Sequence, residues 1–161
     1  MDGPIYILGE EVNRPDYRRI TNIGVYLQDP NAILPKRATE GSAGFDIYTP
    51  KDFDISPGEI VMVDTGLVFH IPPGWSGLLF ARSGLASKRG ISLATGVSLI
   101  DSDFRETLKV PLKMDAYAGP TAMHRLDRIA QIAFWKLAEV GLEVAEVREL
   151  TGRGGFGSTG A

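Results

Sequence analysis

The feature that most constrains this chain is its punctuation. Short apolar runs recur along it, and Gly, Pro or Asp cuts most of them off within a few residues. Ile60-Val61-Met62-Val63 and Ile132-Ala133-Phe134-Trp135 are rich in β-branched and aromatic side chains, which pack well on a pleated surface and lose rotamer freedom in a helix. Turn signals stand at Pro57-Gly58, Pro72-Pro73-Gly74 and Ala118-Gly119-Pro120. The pattern predicts strands over residues 23–28, 45–48, 59–64, 67–71, 77–80, 91–94, 108–114, 129–137 and 142–147. One short helix is expected over 83–89. Many short strands at this spacing build an all-β sandwich or barrel.

At 161 residues the chain suits one domain with a real core, and its composition is that of an ordinary globular protein. It divides into an N-terminal extension (1–20), a β-barrel domain (21–149) and a glycine-rich C-terminal arm (150–161). The absence of cysteine removes disulfides, thiol nucleophiles and Cys-ligated zinc. Of the two histidines, His70 sits in an apolar run and reads as a strand residue, and His124 stands beside Arg125 in a polar stretch. Histidine chemistry therefore has little support. A net charge of −3 argues against a general nucleic-acid binder, although local arginines and a metal ion could hold a phosphorylated small molecule. No apolar run approaches the ~18 residues of a membrane span, and the first 20 residues carry acidic side chains in place of a signal peptide. The expected location is intracellular and cytoplasmic.

Four features could carry chemistry. Arg82-Ser83-Gly84, between a strand and the expected helix, is either an anion site or a plain helix cap at Ser83. Leu99-Ile100-Asp101-Ser102-Asp103-Phe104 places a carboxylate directly after apolar residues. That carboxylate either activates a water or belongs to an ordinary turn. In Arg128-Ile129-Ala130-Gln131, strand alternation would send Arg128 and Ala130 one way and Ile129 and Gln131 the other. The tail Gly152-Arg153-Gly154-Gly155-Phe156-Gly157-Ser158-Thr159-Gly160-Ala161 offers little to pack. Glycine amides can wrap phosphates and a lone ring can stack on a base, but it is not a Walker loop.

Together and in this order, these features resemble the homotrimeric deoxyuridine triphosphatase family and its five motifs. Ser42-Ala43-Gly44-Phe45-Asp46-Ile47-Tyr48 is similar to the first, Ala81-Arg82-Ser83-Gly84-Leu85-Ala86 to the second and residues 96–105 to the third. Arg128-Ile129-Ala130-Gln131 is similar to the fourth and Gly154-Gly155-Phe156-Gly157-Ser158-Thr159-Gly160 to the fifth. The resemblance implies a distorted jelly-roll β-barrel assembled as a homotrimer. Each active site would draw on three subunits, and the tail of one chain would close over a site formed by the others. The implied reaction is hydrolysis of dUTP to dUMP and pyrophosphate with Mg²⁺.

On that resemblance, Asp101 activates the water that attacks the α-phosphorus. Arg82, Ser83, Gly84 and Gln131 hold the phosphates, with Lys109 a further substrate contact. The 95–101 hairpin, with Thr95, Gly96, Leu99 and Ile100, reads uracil largely through its backbone, and Phe104 packs on deoxyribose. Phe156 stacks on the base, Arg153 reaches the γ-phosphate from its shifted position, and Gly157 and Ser158 are further substrate contacts. Asp46 either lies near the metal's water shell or pairs with Arg128. The chain departs from the family at Phe104, where Tyr is usual, at Ser98 for Gly, at Ala81 for Pro and at Glu106 for Gly. Thr151 stands where the tail arginine normally sits, with Arg153 two positions on. A deaminase of dCTP shares the fold but relies on Glu where this chain has Asp101. A regulatory protein partner, for which residues 1–20 and 115–126 leave room, would add to catalysis rather than replace it.

Overall fold

The computed structural model describes residues 21–144 together with the backbone of two N-terminal strands, β1 (Ile5–Ile7) and β2 (Glu10–Val12), which pair antiparallel. The tail residues Arg153, Phe156, Gly157 and Ser158 lie outside the described residues.

The domain runs through β3 (Gly24–Leu27), β4 (Phe45–Tyr48), β5 (Phe53–Ile55), β6 (Ile60–Asp64), β7 (Leu67–His70) and β8 (Trp75–Phe80) to a short helix, α1 (Ser83–Arg89). It continues through β9 (Ile91–Leu93), β10 (Val97–Ile100), β11 (Lys109–Met114), β12 (Thr121–Met123) and β13 (Arg128–Lys136). The main sheet has the order β10-β8-β13-β4, and a second has the order β6-β11-β9. Pairs β3-β7 and β5-β12 complete the wrapping of one core. This is the expected all-β jelly-roll, with one helix among the described residues.

Strand β11 shows how the sequence builds it: Val110, Leu112 and Met114 alternate into the core while Lys109 and Lys113 point to solvent. Ile47, Leu67, Leu79, Ile91, Ile129 and Ile132 fill the same interior from other strands. Hydrophobic burial of this kind supplies most of the drive to fold. The helix ends where Gly90, at φ 64°, turns left-handed and donates its N–H to the Ala86 carbonyl. Its basic last turn, Lys88 and Arg89, suits the negative end of the helix dipole.

Strands β1, β2, β5, β10 and β12 lie outside the runs expected as strands from the residue pattern. The strand expected over 142–147 does not form over its described part. Residues 137–144 lie outside any strand, and Val140, Leu142 and Val144 are exposed. Apolar alternation there is strand-like, but a strand also needs a partner for its backbone, and none pairs with it among the described residues. No helix among the described residues is long and apolar enough to cross a membrane.

Candidate functional site

The end of β8 and the middle of β13 meet β4 across the main sheet, and their polar side chains line a cavity of about 290 Å³. Its walls include Ser42, Gly44, Asp46, Arg82, Ser83, Gly84, Arg128 and Gln131, drawn from three distant stretches of the chain.

Asp46 organises it. The residue is only 8% exposed, and its Oδ1 accepts from Arg82 Nε at 3.0 Å while its Oδ2 accepts from Arg128 Nη1 at 3.2 Å. A nearly buried carboxylate needs such partners, and charge-assisted hydrogen bonds to guanidinium are the strong kind. Arg82 Nη1 also reaches the Arg128 carbonyl, at 3.4 Å. Two guanidinium groups against one carboxylate leave the cavity one positive charge in excess, which suits an anion.

Arg128 and Gln131 share this cavity because strand alternation breaks. The pairing of β13 with β4 slips between Arg128 and Ala130, so Ile129 and Ala130 are both buried. The extra residue is a β-bulge, and it places residues 128 and 131 on one wall, against the alternation expected from sequence. Gln131 is held by its Nε2, which donates to the Ala81 carbonyl at 3.1 Å. Gly44 makes room for it: a Cβ there would lie 3.3 Å from both Gln131 Oε1 and the Ile132 carbonyl.

Ser83 is not the helix cap. The cap position is Arg82, with no side-chain cap hydrogen bond, and Ser83 is the first helical residue. It lines the cavity, where its hydroxyl could serve as a donor.

The second group of expected residues forms a separate unit. Thr95 and Gly96 make the turn between β9 and β10, with Gly96 at φ 72° and the Thr95 and Ser98 hydroxyls 2.7 Å apart. Val97 and Leu99 expose their side chains, at 49% and 69%, while Ile100 turns inward. Asp101 is exposed at the end of β10 and opens a turn in which its carbonyl accepts from Phe104 N–H at 3.2 Å. Phe104 is half-buried against the core, and Arg105 donates to the carbonyls of Ser102 and Phe104. Lys109 projects from β11 opposite Asp64, in the other sheet, away from the cavity.

Hairpin and cavity do not converge within one chain. Strand β10 pairs with β8 so that Val97 faces Phe80 and Ile100 faces Gly77. Asp101 is therefore level with Ser76 at the start of β8 and Arg82 lies past its end, roughly 20 Å away at the ~3.3 Å rise per residue of an extended strand. A larger cleft of about 740 Å³ includes Asp64, Arg105 and Thr107, but Asp64 is already bonded there by Gly66 N–H and the Thr107 hydroxyl.

Sequence reasoning did not place Arg128, Ser42 and Gly44 in the cavity. The composition of the first and fourth motifs was the available signal, but the bulge that assembles them leaves no mark in the pattern of residues.

Comparison with known proteins agrees. The sequence profile of the dUTPase family matches residues 30–160. A deoxyuridine 5'-triphosphate nucleotidohydrolase of Mycobacterium bovis is 37% identical over 147 residues, covering 87% of this chain and 96% of that protein. One from Thermobifida fusca is 37% identical over 134 residues, covering 82% and 75% respectively. Among solved structures, the Staphylococcus bacteriophage 80alpha dUTPase with dUPNHPP is 26% identical with a TM-score of 0.77, covering 88% of this chain and 100% of that one. The dUTPase from phage phi11 of S. aureus, at 23% identity and a TM-score of 0.72, shares the fold over 81% of this chain and 100% of its own. With the five motifs in order, this fold and a profile match over most of its length, the chain belongs to the dUTPase family.

Proposed function

We propose that the chain hydrolyses dUTP to dUMP and pyrophosphate in sites shared between copies of a homotrimer. The observation that carries this is the pairing of a cationic cavity around Asp46, Arg82 and Arg128 with a distant hairpin ending in Asp101. The two units are too far apart to act on one phosphorus, and the cavity of one copy facing the hairpin of another removes the difficulty.

In this reading Asp101 takes a proton from water as the water oxygen attacks the α-phosphorus. The bond from that phosphorus to the bridging oxygen breaks, and pyrophosphate leaves. Asp101 is exposed and its carboxylate has no hydrogen-bond partner among the described residues, so its oxygens are open to accept the proton. Arg82, Ser83 and Gln131 hold the phosphate chain, and Asp46 sets the two arginines. The hairpin reads uracil through its backbone, and Phe104 excludes a 2′-hydroxyl. The 150–161 arm closes the site, with Phe156 stacking on the base and Arg153 reaching the terminal phosphate.

Mg²⁺ fits this chain as a companion of the substrate. Among the described residues no group of three or more His, Cys, Asp or Glu side chains could hold a metal ion, and both Asp46 oxygens already accept from arginine. A hard cation that binds triphosphate oxygens and keeps its waters needs no protein cage. Asp46 would meet it only through water. When bound, the ion neutralises charge on the triphosphate.

A pyrophosphate-release assay with dUTP, dCTP, dTTP and UTP tests the proposal. Turnover of dUTP alone is the expected result, and comparable turnover of dCTP would refute it.

A further inference from the structure

Asp101 must aim its carboxylate at a water, yet among the described residues that carboxylate has no hydrogen-bond or ion-pair partner of its own. Its direction is therefore set by its backbone. On the C-terminal side the backbone is tied down by the turn, through the Asp101 carbonyl and Phe104 N–H. On the N-terminal side β10 is the outermost strand of its sheet and its ladder with β8 ends at Ile100. A strand end at a sheet edge frays readily unless something holds it.

Ser76 holds it. This serine on β8 is 5% exposed, and its hydroxyl donates to the Ile100 carbonyl at 3.2 Å, one peptide before Asp101. Its neighbour Gly77 lets the strand come close: a Cβ there would lie 3.2 Å from Ile100 Cβ, 3.2 Å from Ile132 Cδ1 and 3.3 Å from Ile71 Cδ1. We infer that Ser76 is a positioning residue for the reaction, fixing through the Ile100 carbonyl the peptide plane from which Asp101 projects. Ser76 itself touches no substrate. The inference rests on Asp101 being the base.

The test measures kcat, KM, melting temperature and affinity for a non-hydrolysable dUTP analogue in Ser76→Ala, Ser76→Thr and Asp101→Asn, each alone, and in the Ser76→Ala/Asp101→Asn double variant. Ser76→Ala should bind the analogue as the parent does and lose about tenfold in kcat, since misplacing a reacting group by an ångström can cost about 100-fold. Ser76→Thr keeps the hydroxyl and should recover most of the rate. If threonine's extra methyl prevents folding, Ser76→Cys, a weaker donor of similar size, should fall between serine and alanine. In the Asp101→Asn background Ser76→Ala should change kcat no further, because two residues acting as one unit are not additive. Parent-like kcat in Ser76→Ala, or the same tenfold loss with and without Asp101, overturns the positioning role. Parent-like turnover in Asp101→Asn instead overturns the assignment of the base.

Discussion

Replacing Asp46 by Asn is the most informative single perturbation of the cavity. The amide keeps the volume but loses the charge, and its NH₂ confronts one of the two guanidinium groups that the carboxylate satisfied at 3.0 and 3.2 Å. Removing one partner of a buried ion pair costs about 3–5 kcal/mol. Here the carboxylate is 11% exposed, but the arginines are 25% and 46% exposed and can turn to water, which lowers the figure. A loss of about 2–3 kcal/mol is expected, or about 4–12 °C in melting temperature for a chain of this size. Arg128, the more exposed of the two, should swing out first. The phosphate grip would then loosen, and kcat/KM for dUTP should fall about 10- to 100-fold. Calorimetry at fixed protein concentration and steady-state kinetics over a range of Mg²⁺ read both effects. Parent-like stability and kcat/KM would refute the argument. A defect limited to a raised Mg²⁺ requirement, and relieved by more Mg²⁺, would place Asp46 in the metal's water shell and equally refute its role as organiser of the arginines.

Discrimination of dUTP from dCTP should reach about 10⁴-fold in kcat/KM, because an amino donor would meet polar groups arranged for a carbonyl; Phe104→Ala should raise UTP turnover selectively, and equal gains on every nucleotide would remove Phe104 from sugar selection. Deleting residues 152–161 should leave a folded protein with severely reduced kcat/KM, and Phe156→Ala should reproduce part of that loss, about 1–3 kcal/mol of base stacking; unchanged hydrolysis by the deletion variant would end the closing-arm proposal. Arg153→Ala separates the shifted arginine from the ring: if only Phe156→Ala loses activity, Arg153 has not taken over the phosphate contact. Gly66→Ala should cost about 2–4 kcal/mol in chemical denaturation, since Gly66 sits at φ 66° and a Cβ would collide with Asp29 Cβ; a variant as stable as the parent would show that the loop can move aside.

Residue order alone determined the fold class, the short helix over 83–89 and the identity of the chemical groups. Strands such as β4, β7 and β11 follow from local apolar pattern, because a side chain's preference for a buried pleated face is a property of the residue and its neighbours. The five motifs are likewise strings of adjacent residues, so they are legible without coordinates. Only the tertiary structure decided what depends on contacts between distant segments. The bulge at Ile129 places Arg128 with Gln131, and no rule of alternation foretells it, since a bulge is set by pairing with β4. The choice at Asp46 belongs to the same class: pairing with arginine requires that β4, the end of β8 and β13 meet. Segment 137–144 shows the converse, an alternating run that stays out of any strand because hydrogen-bonding partners come from elsewhere in space. The roughly 20 Å between Asp101 and Arg82 is also invisible to sequence, because it is fixed by the register of β10 on β8, a pairing of residues about twenty positions apart.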